Sequence, residues 1–277
     1  MKVVSLLACH NRKEKTLRCL SALRETYAAA GLQFVAVLTD DGSTDGTAAA
    51  VMTQFPEVSV IQGNGELYWC RGMHAAWVEA LRMNADAYLW INDDIVPTAD
   101  AALRLLATMN DGALAGAPPP IVVGSMRWPG TQSVAYGGVI KPSRFAPTRF
   151  RISPPEAYTR DVDTMNGNLV LVPHDVVEKI GILDPAFEHG MGDYDYGLRA
   201  TRTGIRVLVA PGFFGECSRN PPEGSFLDRK LTRFARLKKM VGRRGLPPSG
   251  WWHFTRRHAG PFWPFIFAWP YLRTLIR

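Results

Sequence analysis

Two pairs of adjacent aspartates are the residues in this sequence whose types and spacing could do chemistry. Asp40-Asp41 follows an apolar run at Phe34–Thr39, and Asp93-Asp94 follows a second run at Ala87–Ile91. Aspartate is a poor strand residue and is seldom buried beside a second carboxylate without a partner. Helix capping explains one acidic residue in each loop, but it does not explain two pairs at equivalent strand ends. We therefore expect both pairs to bind a ligand.

The elements that must position these pairs form a regular alternation. Strands are predicted at Lys2–Ala8, Phe34–Thr39, Val58–Ile61 and Ala87–Ile91, and helices at Lys13–Tyr27, Thr44–Phe55 and Met73–Arg82. Such alternation is typical of βαβ units on a parallel sheet. Ligands of such sheets bind at the carboxyl ends of the strands, so both pairs should lie at one edge.

The second half of the chain predicts a less regular architecture. Prolines are frequent between residues 116 and 159, and Val134–Ile140 is predicted to form an antiparallel β-hairpin. Further strands are predicted at Met165–Val172 and Arg206–Ala210, and helices at His174–Ile180, Tyr194–Arg202 and Arg229–Arg244. The alternation of elements thus continues, with irregular and antiparallel additions.

Several common site motifs are not supported. Asp41, Asp45 and Gly46 would suit a calcium-binding EF-hand loop, but Met52 stands where that loop needs a glutamate. No GxxxxGK[ST] or GxGxxG segment follows the first strand, and no GxSxG segment is present. The histidines show no HExxH spacing. P-loop, dinucleotide-binding and serine-hydrolase sites therefore lack their main evidence.

Four segments taken together resemble a known family. They are His10-Asn11-Arg12, DDGSTDGT at 40–47, NDD at 92–94 and GDYDYGLR at 192–199. Their order and spacing resemble the family 2 glycosyltransferases, which implies the GT-A (nucleotide-diphospho-sugar transferase) fold, an α/β fold with a mostly parallel central sheet flanked by helices. The resemblance covers about residues 1–215. The segment at 63–72 also resembles a loop of the rhamnosyltransferase-like branch, and Met165-Asn166-Gly167-Asn168 adds to the match.

The resemblance implies a nucleotide-sugar donor site. Asp41 would accept a hydrogen bond from the imide N–H of uracil or thymine, which indicates a UDP- or dTDP-sugar. Asn92-Asp93-Asp94 takes the place of the family's DXD motif: Asp94 would ligate Mg²⁺ or Mn²⁺, and Asp93 would lie near the ribose or the metal shell. Further donor contacts are expected from Ala8, Asn11 and Arg71.

The resemblance also implies an inverting transfer with Asp193 as the catalytic base. Such a transfer needs a carboxylate that takes the proton from the acceptor hydroxyl as its oxygen attacks the anomeric carbon. The family usually has Glu before this Asp, whereas this chain has Gly192. From the residues alone, the alternative is that Asp193 complements a helix dipole, and we favour the base role. Trp69, Asn166 and Asp195 are expected acceptor or sugar contacts.

Charge and composition divide the chain at about residue 215. Residues 216–277 contain 13 Lys and Arg against 3 Asp and Glu, whereas residues 1–215 contain 19 against 22. We therefore expect a catalytic domain at 1–215 and a basic, aromatic extension at 216–277. The segment Phe262–Leu272, flanked by Arg256, Arg257, Arg273 and Arg277, suits a membrane interface. Packing against the core, or a dimer contact, is the alternative.

The remaining expectations concern location and rival functions. Isolated cysteines and the absence of a long apolar segment predict a cytoplasmic protein, and the aromatic, basic segment is consistent with a peripheral location on the inner face of the membrane. The expected acceptor is a saccharide or a lipid-linked sugar of surface polysaccharide or glycolipid synthesis. Nucleic acid is not an expected partner, since no binding module accompanies the basic charge. A nucleotidyltransferase of related fold and a non-catalytic nucleotide-sugar-binding protein stay open.

Overall fold

The computed structural model of the protein describes residues 1–143, 145–218 and 222–276. The elements of its first half are β1 Val3–Cys9, α1 Lys13–Ala29, β2 Ala36–Asp40, α2 Thr47–Gln54, β3 Val58–Gln62, α3 Tyr68–Ala80, β4 Ala87–Ile91, β5 Val96–Pro97 and α4 Ala101–Asp111. The predicted strands and helices of this half are all present. The largest difference is that α3 begins at Tyr68 rather than Met73, and its first turn brings Cys70 into the core.

The second half combines long strands with several very short ones. Its elements are β6 Ile121–Arg127, β7 Val134–Tyr136, β8 Gly138–Ile140, β9 Arg151–Ile152, β10 Arg160–Asp161, β11 Thr164–Met165, β12 Leu169–Pro173, α5 His174–Ile180, α6 Gly192–Arg202, β13 Val207–Glu216, α7 Arg233–Met240, α8 Pro248–His258 and α9 Trp263–Ile276. The predicted hairpin at Val134–Ile140 is wrong, because β7 pairs with β6 whereas β8 pairs with β11 and β9 in a second sheet. Gly137 alone separates β7 from β8, which is too little chain for a reversing turn.

The main sheet confirms the predicted α/β fold. Its strand order is β10-β13-β6-β12-β4-β1-β2-β3. The strands β4, β1, β2 and β3 are parallel to one another. Strand β12 is antiparallel to both β4 and β6, so β6 and its parallel neighbour β13 run in the same direction as β4. The central sheet is thus mostly parallel, and the carboxyl ends of its parallel strands share one edge.

Apolar side chains cover both faces of this sheet. Strand β1 turns Val4 and Leu6 toward one apolar cluster and Val3 and Leu7 toward the other, as the two-residue period of a strand requires. A strand that is apolar on both faces is typical of a parallel sheet with helices on each side. The two clusters hold the strand ends rigidly, which is what a site at this edge needs.

The segment after residue 215 does not lie apart from the core. In α8, Trp251 and Phe254 are buried in the same apolar cluster as Val4 and Leu6 of β1. Among the described residues, no helix is long and apolar enough to cross a membrane. Arg277, one of the arginines expected to flank the aromatic segment, lies outside the described residues, as do 219–221 of the predicted extension. The division at residue 215 stays a prediction.

Candidate active site

The two aspartate pairs lie at the same edge of the main sheet, as expected. Strand β1 lies between β2 and β4, and its last residue, Cys9, pairs with Asp40 at the end of β2. Asp41 follows Asp40 directly, and Asp93 and Asp94 follow β4 on the other side of β1. The carboxyl ends of three adjacent strands therefore surround one region of the surface.

Asp41 holds the loop that leads into α3. Its Oδ1 accepts a hydrogen bond from the backbone N–H of Gly65 at 2.8 Å, and its Oδ2 accepts two more, from Leu67 and Tyr68, each at 2.9 Å. A carboxylate is a suitable acceptor for several backbone donors at once. All of these bonds go to the loop, so the structure gives Asp41 a role in shaping the site. Its contact with a base stays a prediction.

The segment after β1 is tied to the loop after β2. Asn11 adopts a φ of 51°, and its Oδ1 accepts a hydrogen bond from the backbone N–H of Thr44 at 2.8 Å. The Nδ1 atom of His10 lies 2.6 Å from the carbonyl oxygen of Asp41. Ala8, near the end of β1, is half-buried at the same edge. Donor contacts by Ala8 and Asn11 remain predictions.

Arg12 joins the two sides of the site. Its Nη1 lies 2.9 Å from Asp93 Oδ1 and 3.1 Å from Asp94 Oδ2. Burial raises the pKa of Asp93 to about 6, although the charge of Arg12 acts in the opposite direction. The second oxygen of Asp93 is buried and has no hydrogen-bond partner in the described chain. Asp93 and Asp94 thus retain capacity for a further cationic ligand.

The residues present fit a divalent cation that takes further ligands from its substrate. No group of three or more His, Cys, Asp or Glu that could hold a metal occurs within residues 1–143, 145–218 and 222–276. Mg²⁺, however, is usually held by one or two carboxylates together with substrate phosphates and water. Partly exposed Asp94 and the free oxygen of Asp93 supply that number of carboxylates.

Asp193 lies in the first turn of α6, which follows Met191, a residue in the left-handed region with a φ of 73°. Its Oδ2 accepts a hydrogen bond from the backbone N–H of Gly167 at 3.0 Å, and its Oδ1 accepts one from Tyr194 at 2.9 Å. Burial raises the pKa of Asp193 to about 6, although both backbone hydrogen bonds act to lower it. A carboxylate with such a pKa is suited to accept a proton near neutral pH.

Trp69 connects the Asp193 segment to the end of β4. Its Nε1–H donates a hydrogen bond to Asn92 Oδ1 at 2.8 Å. Its ring lies directly over Gly167, where an added Cβ would come within 2.5 Å of two ring carbons. Trp69, Asn92, Gly167 and Asp193 therefore form one connected group, which brings three of the predicted site segments together.

The structure gives a physical reason for Gly192, the residue at which the motif departs from the family pattern. A Cβ at this position would lie 2.3 Å from Cys70 Sγ. Cys70 is fully buried in the first turn of α3. The thiol thus occupies the space that a side chain at position 192 would need, and the departure at Gly192 leaves Asp193 itself in place.

Asn166 and Arg71 bind protein groups in the structure. Asn166 is nearly buried, and its Nδ2 donates a hydrogen bond to the Tyr194 hydroxyl at 3.3 Å. Arg71 donates from Nε to the carbonyl oxygen of Pro185 at 3.0 Å and lies 3.5 Å from Glu188. Both residues lie on segments that adjoin Trp69 or Asp193. Their contacts with acceptor or diphosphate stay predictions.

Asp195 faces away from the site and into the protein. The residue is fully buried, and its carboxylate contacts Arg199 at 2.9 Å and both Arg257 and His258 at 2.8 Å. Burial acts to raise its pKa, but these partners more than offset that effect and lower it. No part of the carboxylate is open to solvent, which is evidence against the predicted acceptor contact. Asp195 instead joins α6 to α8.

Two arginines at this edge had no predicted role. Arg12 follows Asn11 in the His10-Asn11-Arg12 motif, so that motif was the sequence signal that could have indicated its role. Arg243 comes from the segment after α7, and its guanidinium lies 3.3 Å from Glu66, 3.3 Å from Glu188 and over the ring of Tyr68. No local sequence pattern indicates that contact, because its partners are more than fifty residues away.

A cleft of about 610 Å³ opens beside Asp94. Its lining includes the basic residues Lys15, Arg18 and Arg127, together with Cys217, Ser218 and Glu216, whose carboxylate lies 3.2 Å from Arg127 Nε. The volume lies in the range of small-molecule sites. A cleft with cations on its walls and Asp94 at its edge can take up an anionic molecule together with a metal ion.

Comparison with known proteins gives a match over most of the chain. A family model described as "Glycosyltransferase like family 2" matches residues 3–258. A search of curated proteins found no significant match. The family match extends through α8, the helix that Asp195 joins to α6.

Solved structures with the same fold include distant glycosyltransferases. TarS 1-349 of S. aureus in complex with UDP has a TM-score of 0.57 at 12% identity, over 92% of this chain and 70% of that one. The mannosyltransferase PcManGT from Pyrobaculum calidifontis, in complex with GDP-Man and Mn²⁺, has 0.53 at 19%, over 99% and 72%. GalNAc-T7 with UDP, GalNAc and Mn²⁺ has 0.57 at 12%, over 76% of this chain but only 42% of its own length. At such identities the likeness shows the fold alone.

Proposed function

This chain belongs to glycosyltransferase family 2, and from that premise we propose that it transfers a sugar, with inversion, from a UDP- or dTDP-sugar to an acceptor hydroxyl. Membership of this family removes the support for a nucleotidyltransferase. The single observation that carries the inverting mechanism is the position of Asp193, a half-buried carboxylate beside Trp69 and Gly167 at the carboxyl edge of the sheet, with no cationic partner among its described contacts.

The donor's diphosphate would bind where Arg12, Asp93 and Asp94 meet. Arg12 can bind phosphate oxygens in the same way as it binds the two carboxylates, through charge-assisted hydrogen bonds. Asp94 and Asp93 would hold Mg²⁺ or Mn²⁺, which when bound neutralises charge on the departing nucleoside diphosphate. Asp41 keeps the loop of Gly65, Leu67 and Tyr68 in the shape that lines the base side.

Asp193 would act on the acceptor. As the acceptor oxygen forms its bond to the anomeric carbon, its proton passes to a carboxylate oxygen of Asp193. The bond between the anomeric carbon and the diphosphate oxygen breaks on the opposite face, so the configuration inverts and the nucleoside diphosphate leaves with the electron pair. Trp69, fixed by Asn92 and Gly167, would present its ring to the sugar beside Asp193.

The finer assignments are part of the same proposal. We place the chain in the rhamnosyltransferase-like branch on the segment at 63–72 alone, and the acceptor in surface polysaccharide or glycolipid synthesis. Residues 1–215 would form the catalytic part and 216–277 an extension to it. The burial of Trp251 and Phe254 in the core indicates that α8 of this extension also stabilises the catalytic part.

The first test measures nucleoside diphosphate released from UDP-, dTDP- and GDP-sugars with Mn²⁺, with Mg²⁺ and with EDTA. We expect release from one donor that depends on metal and is lost in Asp94→Ala. The matched control is Asp100→Ala, because Asp100 is an exposed aspartate at the start of α4, outside the site.

Two further measurements, of donor binding and of product stereochemistry, test the donor site and the base role of Asp193 separately. If calorimetry shows no metal-dependent binding of any nucleotide-sugar, the donor assignment is wrong. If NMR of the product shows that the anomeric configuration is retained, the base role of Asp193 is wrong while the donor site stands.

A further inference from the structure

Helix α9 is mostly apolar, with Arg273 as its one charged residue, yet one of its apolar faces is open to solvent. Phe265, Trp269, Leu272 and Ile276 recur at helical spacing and lie within about 60° of one another around the axis. They are 76%, 57%, 51% and 71% exposed. A soluble helix normally turns such a face inward. This stripe of four residues, called the α9 stripe below, therefore lacks the partner that its composition requires.

The opposite face of α9 packs against the rest of the protein. The Phe267 carbonyl oxygen accepts a hydrogen bond from Trp251 Nε1 at 3.1 Å, and the Tyr271 hydroxyl donates one to the Leu246 carbonyl oxygen at 2.8 Å. Trp263 packs edge-on against Trp252 with ring centroids 4.4 Å apart. These contacts fix the helix on α8, so the α9 stripe cannot turn inward without breaking them.

All Lys, Arg, Asp and Glu residues in the segment that contains the stripe are cationic. Residues 229–276 contain eleven Lys and Arg and no Asp or Glu. Arg257 and Arg243 pair with acidic residues of the core, whereas Arg233, Lys238 and Lys239 of α7 form no ion pair with any described residue. One of them, Arg233, lies next to the end of α9, since its Nη1 is 3.4 Å from the Leu275 carbonyl oxygen. Unpaired cations thus border the apolar stripe.

We infer that the α9 stripe and the basic residues of α7 form a surface that binds an anionic lipid bilayer. Aromatic side chains favour the headgroup region, and lysine and arginine are attracted to anionic lipids beside it. A second copy of the chain fits less well, because pairing two α9 stripes would bring two purely cationic segments together. The inference does not rest on the proposed function, since it uses no residue of the site.

Arg243 links the segment that follows α7 to the site. Arg243, between α7 and α8, contacts Glu66 and Tyr68 of the loop that Asp41 holds. A protein bound to a membrane through α9 and α7 would therefore hold that loop near the bilayer. An acceptor embedded in the same bilayer could then reach the site without leaving it.

The test is sedimentation of the full chain with vesicles of phosphatidylcholine alone, and of phosphatidylcholine and phosphatidylglycerol in equal amounts. We expect binding to the anionic vesicles that weakens with added salt and is much weaker on the neutral ones. The double variant Phe265→Ser/Trp269→Ser should reduce the vesicle partition coefficient about tenfold or more, because it removes two aromatic side chains that the bilayer would bury. Lys238→Gln/Lys239→Gln should reduce it on anionic vesicles only.

A matched pair of leucines separates the stripe from general surface hydrophobicity. Leu272 in the stripe and Leu103 on α4 are both 51% exposed. Leu272→Ser should weaken vesicle binding, whereas Leu103→Ser should leave it unchanged. The inference is overturned if the protein binds neither kind of vesicle, or if the stripe variants bind as well as the parent chain. It is also overturned if sedimentation equilibrium shows a dimer that Phe265→Ser/Trp269→Ser dissociates while vesicle binding persists.

Discussion

The two sides of helix α6 give the same residue type opposite properties. Asp193 faces the site, where burial raises its pKa to about 6 and its hydrogen-bond partners among the described residues are backbone N–H groups. Asp195, two residues later, faces α8, where Arg199, Arg257 and His258 lower its pKa despite its complete burial. Neighbouring charges thus decide which carboxylate stays ionised and inert and which is ready to take up a proton.

The difference also separates function from stability. Asp193 has no cationic partner among its described contacts, so its charge is available for a substrate proton. Asp195 holds α8 onto the core through charge-assisted bonds, and the Asp184 carboxylate assists by contacting Arg257 and His253 at 2.8 and 2.9 Å. One helix therefore carries a catalytic side and a structural side, and substitutions on each side should have different effects.

The largest expected effect is on the catalytic side. Asp193→Asn should lower kcat by about a thousandfold, because removal of a general base costs between a hundredfold and ten-thousandfold. Donor affinity, measured by calorimetry, should change little since Asp193 would contact the acceptor. A variant that keeps full transfer activity would show that Asp193 is not the base.

A substitution on the structural side should change the stability of the protein rather than its catalytic rate. Asp195→Asn should lower the free energy of unfolding by about 3 kcal/mol, because it leaves buried cationic partners uncompensated. Denaturant unfolding measures the loss, and kcat at low temperature should stay near that of the parent chain. A large fall in kcat with unchanged stability would instead assign Asp195 to the reaction.

The close contact between Gly192 and Cys70, next to Asp193, gives a third test. Gly192→Ala should cost about 2 kcal/mol of stability, since the new Cβ would lie 2.3 Å from Cys70 Sγ. Cys70→Ala removes that sulfur, so the double variant should recover most of the stability lost through Gly192→Ala. A double-mutant cycle measures this coupling. Additive losses would mean that the thiol is not what excludes a side chain at position 192.

The smallest expected effect is a dependence on pH. With a pKa of about 6, Asp193 is ionised above that pH, and kcat/KM should fall about tenfold per unit as the pH drops below it. The pKa of Asp195 is shifted in the other direction, and its lowered value contributes stability that is present above the ordinary aspartate pKa and is lost as the pH falls through the folded pKa. Activity should therefore fall at a higher pH than stability, as rate and unfolding profiles would show.

Much of the fold was predictable because its signals are local. Strand β4 and helix α5 have the predicted bounds, since each is an unbroken apolar or periodic run between clear breakers. The Val134–Ile140 segment failed because strand propensity does not say which partner a strand will have. Its two strands joined different sheets, and those partners come from residues before 128 and after 150.

For the site, the sequence determined the order of the motifs and the common edge at which the two aspartate pairs lie, because parallel strands end together. Only the tertiary structure decided how each carboxylate is used. It directed Asp41 to three backbone N–H groups, joined Arg12 to Asp93 and Asp94, and separated Asp193 from Asp195. Hydrogen bonds, burial and neighbouring charges depend on segments that are distant in the chain, so a local pattern shows which residue can act and the packing determines which one does.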